Sequence, residues 1–588
     1  MMEERINQLE AEAFRRGLDP RGSPQSREST EQTSPLGLQD TEQAVSHSAS
    51  HSTDKTAMNM GSLSLSAMAE PPSRAGEFLE DLSMPSIITS VTEIYGGNPE
   101  ESTRSDPLWD GIAKHVRNPT EILTRLDIQR SEASKCLDTY MDSVDFRYPR
   151  IPIEKVRSGI DAITDPDPMR YEETLREKPA HIFMAYMVIA IVSLVSENRP
   201  AAQGSFVSIH ILAKCLKVLN RVFSLEDGVD IIQCLHLLVV FSMHSSAAGS
   251  AWHLIGFAMT KCIALGYHQE PSILFNDDGH LNEDLQQRRW AFWSCYLLDR
   301  LICGALDRPF SISDLYVTVA LPEQARNLPA SVQQNESMYI HLFRYSTVYS
   351  FITSDERAED FNDALGQVLG WMESSSIQRH ASLQVPYGYH RSLYNTLVLR
   401  VVMQQIPRPY GVKESEIGTG STGPMHESGE AIVVGQANVR LHAQERVAKT
   451  KLLQSCHLVA QSLNRPSMAR RHFLSLVTGY SAISMALGAL YYLAVMDTNQ
   501  HNEPSLRLAD EILDTAFHKL DIAGRQFPRM QHYRQAMHSI LEFMRISRSV
   551  PVDPVERDEK LENWKSFSID IGPCYLRKVA KAVYFFLK

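Results

Sequence analysis

Asp299 and Arg300 sit next to each other among Tyr296, Leu297, Leu301 and Ile302, an apolar setting for two charges. Charges so placed must find partners, because an unpaired buried charge costs several kcal/mol. Arg308, just before Pro309 where the chain turns, is the expected partner of Asp299. The pair would then pin a helix to the turn that follows it, and the alternative use of these residues is as the border of an effector pocket. His236, His244 and His253 raise a second chemistry, metal binding, since the spacing of the first two places them on one helix face. A metal site needs convergent ligands, and neither His-Glu-x-x-His nor Cys-x-x-Cys occurs. These are expected to be helix histidines with local partners.

Gly418 to Gly423 spells Gly-x-Gly-x-x-Gly, a pattern that lets backbone approach a pyrophosphate when a buried strand precedes it and a helix follows. Here Lys413 to Ile417 is mostly polar and Pro424 follows directly, so the string reads as a flexible insertion. The eight cysteines lie at 136, 215, 234, 262, 295, 303, 456 and 574, mostly inside apolar helical patterns. They are expected to be reduced thiols acting as small hydrophobes in an intracellular protein. No Gly-x-Ser-x-Gly elbow and no local cysteine signature nominates a nucleophile, so catalysis has no visible address and the chain is not expected to be an enzyme.

The elements that carry these residues read as helices throughout, and the predicted fold class is all-α. Trp252, Gly256, Met259 and Ile263 recur at helical spacing, with Gly266 as the stop; Trp293, Tyr296, Leu297, Arg300, Leu301 and Gly304 repeat on a second helix that begins near Arg288 and Arg289. Further helices are predicted over 134–142, 180–196, 208–223, 228–245, 337–353, 442–463, 471–496, 504–525 and 533–545. The segment 145–153, broken by two prolines, is predicted to lie extended. Residues 1–17 carry a short coiled-coil pattern with Ile6, Leu9 and Ala13 as a candidate dimer seam. Residues 18–105, rich in Ser, Thr and Gln, lack the apolar periodicity that offsets ordering entropy and are predicted disordered. A helical domain is assigned to 106–547, with its core at 134–325 and a flexible insertion at 407–440; residues 548–588 are assigned as a C-terminal tail.

With 588 residues, 43% of them hydrophobic, the chain can bury a large core. A net charge of -12 gives the chain as a whole no electrostatic footprint for nucleic acid. The apolar run Ile182 to Val195 is shorter than the roughly 20 residues that span a bilayer, and no membrane partner is expected.

The stretch from Ala251 to Pro322 resembles the fungal-specific transcription factor domain, the middle homology region of binuclear zinc-cluster regulators. The matching residues are Ala251-Trp252, Gly256 and Leu265-Gly266-Tyr267-His268, then Arg288, Arg289, Trp293, Asp299 and Arg300, then Arg308-Pro309 and Leu321-Pro322. Two positions depart: Asp307 stands where a turn glycine is usual, and Thr318 where an Asp is common. The resemblance implies a nuclear, DNA-binding transcription regulator of RNA polymerase II genes, with a metabolic or secondary-metabolite pathway in a fungus-like cell as its target. It implies the transcription machinery or corepressors as partners, a homodimer and a small-molecule effector. Zinc would be held by six closely spaced cysteines upstream of such a domain. The first cysteine here is Cys136, so no cofactor is expected in this chain unless an upstream cluster exists, and DNA would be reached through that missing module or a partner. The alternatives are a zinc-less helical interaction protein that dimerises with or titrates related regulators, and, remotely, an all-helical enzyme.

Overall fold

Two helices that are apolar all round set the architecture, because such helices have no face for water and must be surrounded. The computed structural model describes residues 128–588 except 150, 197–200, 224–227, 247–248, 272–282, 307, 324–329, 354–360, 376–383, 407–449, 466–474, 496–502, 550–551 and 572–573. Among them every regular element is a helix, so the fold is all-α. The candidate seam at Ile6, Leu9 and Ala13, the linker to residue 105 and the insertion at 407–440 lie outside the described residues.

The chain runs through α1 (Arg130–Tyr140), α2 (Ile153–Thr164), α3 (Pro168–Glu177), α4 (Pro179–Val195), α5 (Ala201–Val222), α6 (Gly228–His244), α7 (Ala251–Ala264) and α8 (Glu283–Leu306). It continues with α9 (Ala330–Thr353), α10 (Phe361–Glu373), α11 (Gln384–Gln404), α12 (450–464), α13 (Leu476–Val495), α14 (Glu503–Gly524), α15 (Pro528–Ser549), α16 (Pro554–Asp570) and α17 (Cys574–Leu587). Every residue of α4 except His181 is buried; α1, α2, α3, α5 and α6 pack around it. α13 plays the same part for α14, α15, α17 and α11. α8 lies between the two groups, against α6, α7, α9 and α13, so one apolar core runs from Ile128 to Val583.

α13 is long and apolar enough to cross a membrane, which the shorter run in α4 is not, but 89% of its apolar window is buried inside the protein. Its apolar surface is met by other helices.

Three sequence expectations are corrected. The described residues of 145–153 do not form one extended segment: Asp145 ends a π-helical turn (Met141–Asp145) that continues α1, Phe146 lies in the turn that follows, and α2 begins at Ile153. The buried Asp145 carboxylate accepts hydrogen bonds from Tyr339 and from the Ile151 amide, which holds the segment folded back. Residues 548–588 are not a tail: they form two helices, α16 and α17, whose apolar residues belong to the core. Asp553 caps α16, accepting from the Val555 amide at 3.2 Å, and Pro554 occupies its first turn, where a missing N–H costs nothing. α16 turns its acidic and basic residues outward while Leu561, Trp564 and Phe567 are buried, and the Trp564 indole donates to the Ala580 carbonyl of α17 at 3.0 Å. Finally α2, α3, α10 and α11 are helices beyond those expected; α11 opens on Pro386 and Gly388, whose types conceal it.

Candidate functional site

α7 and α8 are joined by a loop that passes Gly266, the residue that ends α7. At φ 72° Gly266 adopts the left-handed backbone that lets the Tyr267 amide reach back to the Cys262 carbonyl at 2.9 Å and close the helix end. α8 then presents Arg289, Trp293, Tyr296 and Arg300 at spacings of three or four, one stripe of the helix. The chain leaving α8 runs back along this stripe from Arg308 to Pro322.

The stripe holds the returning chain at two levels. At the first, the Arg289 guanidinium donates to Glu270, whose other carboxylate oxygen accepts the Ala320 amide at 2.8 Å. The Trp293 indole donates to the Ala320 carbonyl at 2.9 Å, and the amides of Thr318 and Val319 donate to the His268 carbonyl at 3.0 and 3.2 Å. Thr318, one of the two departures, accepts the Glu270 amide on its hydroxyl at 3.2 Å, a role any short side-chain oxygen can fill. Arg288 lies over the Tyr267 ring at 5.5 Å. Pro322 is buried.

At the second level, Asp299 and Arg300 are 0% and 1% exposed and 2.6 Å apart. Asp299 also accepts from the Ser311 hydroxyl at 2.6 Å, the Ser311 amide at 3.3 Å and the Cys303 thiol at 3.4 Å. Arg300 donates to the Ile312 carbonyl at 2.8 Å and to Asp314 at 2.6 Å, and its guanidinium lies between the rings of Tyr296 and Phe310, 3.9 and 4.4 Å from their centroids. Asp314 in turn accepts from Tyr296 and from Ser350 of α9, each at 2.7 Å. Burial works to raise the Asp314 carboxyl, but the Ser350 and Tyr296 hydroxyls and the Arg300 guanidinium outweigh it and hold it below the usual carboxylate range. Burial works against the Arg300 charge as well, and Tyr296, Asp299 and Asp314 together overcome it, leaving its pKa raised.

Arg308 is not the partner of Asp299. It is exposed, its guanidinium 5.3 Å over the Trp252 ring, and only its backbone amide bonds back to α8, at the Cys303 carbonyl. The adjacent Arg300 reaches Asp299 with less chain ordering, and Ser311 supplies the remaining donors. Pro309 is exposed beside it, and Asp307 lies outside the described residues. Gly256 has nothing within 4 Å of where a Cβ would stand, whereas at Gly304 a Cβ would lie 2.1 Å from Tyr349.

Asp314, Ser311 and Ser350 were missed by sequence reasoning. Asp314, next to the capping Ser313 in a short 3-10 turn, could have been found as the first acid after the Pro309 turn. Ser350, thirty-six residues farther on, gives no local signal.

The histidines do not converge. His236 bonds the Tyr148 carbonyl at 3.1 Å, His244 meets the Tyr148 ring edge-on, and His253 meets Trp252. Among the described residues no group of three or more His, Cys, Asp or Glu side chains could hold a metal ion. An open groove of about 580 Å³ between α12 and α14, lined by His457, Gln461, Arg465, Glu511 and Asp514 among others, shares no residue with the clamp. The clamp's acids and bases are engaged with one another, so what this arrangement does is hold two helices and a loop in register.

Residues 137–384 match the fungal specific transcription factor domain. Protein STB5 of Saccharomyces cerevisiae is 28% identical over 173 residues, 29% of this chain and 23% of that protein. Pyrimidine pathway regulatory protein 1 of the same yeast is 25% identical over 147 residues, 25% of this chain and 16% of the relative. Transcription factor FBD3 of Fusarium pseudograminearum is 23% identical over 247 residues, 39% and 30% respectively. The chain spans less than a third of the length of each of these relatives. No solved structure matches.

Proposed function

We propose that this chain, whose residues 137–384 form a fungal specific transcription factor domain, is a nuclear regulator of RNA polymerase II transcription of the zinc-cluster type. The single observation that carries this reading is that match, which takes in the residues that clamp the 308–322 segment onto α8. The relatives' names speak of regulators, among them a pyrimidine pathway regulator and a positive regulator of purine utilization, which supports control of a metabolic pathway. A site in which every acid and base is engaged with another favours regulation over catalysis.

Its mechanism is a binding equilibrium. An effector or corepressor that prefers one arrangement of the helices shifts the exposure of a surface read by the transcription machinery, and shifts it only by its difference in affinity for the two arrangements. Contact with DNA runs through a zinc-cluster module or a partner, including a second copy of the chain. The test is to disrupt the gene in its own organism and map chromatin occupancy of the tagged protein. A set of promoters that are both occupied and altered in transcript level is expected; unchanged transcripts with no promoter occupancy would overturn the reading.

A further inference from the structure

The groove between α12 and α14 holds charges that the fold does not use. Its lining includes two buried apolar residues, Ala460 of α12 and Ile512 of α14, 5% and 0% exposed. The walls are tied directly: the Asn464 amide of α12 donates to the Thr515 hydroxyl of α14 at 2.9 Å. Asn395 of α11 fixes α12 as well, donating to the Leu458 carbonyl at 3.1 Å and the Ser462 hydroxyl at 2.6 Å. Gln461 is paired with His457 at 2.8 Å. Left over are Arg465 at the end of α12 and Glu511 and Asp514 of α14, which line the same groove without a hydrogen bond or ion pair from their side chains. Other acids of α14 are answered: Asp510 pairs with Arg545 and Asp521 with Arg534, both of α15, at 2.6 and 3.0 Å. One wall thus offers a guanidinium and the other two carboxylates, too far apart to neutralise each other.

We propose that this groove binds a free basic amino acid of the lysine, ornithine or arginine type. The ligand's α-carboxylate takes the fork of Arg465, its two cationic groups take Glu511 and Asp514, and its methylene chain covers Ala460 and Ile512. The two acids stand three residues apart on one helix face, about 5–6 Å between Cβ atoms, a separation that two nitrogens on one short aliphatic chain can match. The ligand's single net positive charge cancels the single net negative charge of one arginine and two acids. An anion such as phosphate would face two carboxylates against one guanidinium, and a diamine would turn a cation towards Arg465. The volume of about 580 Å³ is that of a small-molecule site.

The groove lies outside residues 137–384, so its specificity belongs to this chain and not to the matched domain. Both walls stand on α13: α14 packs along it, and a Cβ at Gly488 of α13 would lie 2.5 Å from Cys456 Sγ of α12. A ligand that bridges the walls therefore bears on the α13-centred group. That such binding adjusts transcription rests on the chain being a regulator; the binding itself does not.

The experiment is isothermal titration calorimetry of the purified full chain with lysine, arginine, norleucine, cadaverine and glutamate. Lysine should bind about ten-fold or more tightly than norleucine, which lacks the second cation, and than cadaverine, which lacks the carboxylate. Glutamate should not bind. R465A should erase the preference for lysine over cadaverine, and E511Q/D514N the preference for lysine over norleucine. The three side chains have no partner in the fold, so the variants should keep the wild-type thermal midpoint. Absence of lysine and arginine binding at millimolar concentration, equal affinity for lysine, norleucine and cadaverine, or wild-type affinity for lysine in R465A would overturn the proposal. An absent heat from a protein that still occupies and controls promoters would overturn this binding and leave the regulatory reading standing.

Discussion

Removing the Asp299 carboxylate leaves the Arg300 guanidinium buried with only Asp314 for an acid, and deprives Ser311 of its acceptor. Asp299→Ala should therefore cost about 3–5 kcal/mol, the range for breaking a buried pair. Arg308→Ala loses an exposed cation–π contact with Trp252 and should cost no more than about 1 kcal/mol. Thermal unfolding of the two variants checks the assignment: equal midpoints would place Arg308 back in the pin. A second residue-level prediction concerns His341 and His390. His341 stacks on Trp371 with ring centroids 4.7 Å apart, and His390 lies 5.2 Å from it. His341 Nε2 and both nitrogens of His390 are buried without hydrogen-bond partners. Burial pushes His341 down to about 4, helped by Arg344, and pushes His390 well below the usual imidazole range. Unfolded imidazoles titrate near ~6.5. As pH falls from ~6.5 towards 4 the unfolded chain takes up protons that the folded chain refuses, so stability present above ~6.5 is lost across that window. The urea midpoint should drop between pH 7.5 and pH 5, and H390F should reduce the drop; a slope the same in wild type and H390F would contradict it.

At the scale of elements, the two glycines of the signature helices differ in what they permit. Gly266→Ala forces a Cβ into the left-handed region and should cost about 1–2 kcal/mol, while Gly256→Ala enters open space on a helix and should stabilise by up to about 1 kcal/mol. Denaturant midpoints moving in the same direction would refute this contrast. α16 and α17 make a larger claim: Trp564→Ala should cost about 3–5 kcal/mol, because the indole is 2% exposed and bonds α17. A dispensable tail would show no change in thermal midpoint. Helices with a clear apolar stripe, such as α7 and α8, were legible in the sequence, as was the stop at Gly266. α16 was not, since six charges among its first nine residues hide the apolar spacing of Leu561, Trp564 and Phe567. The clamp was half legible. Asp299 and Arg300 declare themselves as charges among apolar neighbours, but which arginine answers Asp299 depends on where residues 311–314 return, and that path is fixed by Ser350 on a distant helix.

Across the whole molecule, α8 links the α4-centred and α13-centred groups through one core. A ligand or partner that biases one group therefore has a packed route to the other, and coupling along it needs a real two-state element to act on. The chain's net charge of -12 suits contact with proteins rather than with phosphate backbone. The proposed regulation of transcription is tested by tethering the full chain to an unrelated DNA-binding module upstream of a reporter in a fungal host. A change in reporter output, up or down, that Asp299→Ala abolishes and Arg308→Ala retains is expected. Output equal to that of the DNA-binding module alone, with the fusion folded and present in the nucleus, would contradict it.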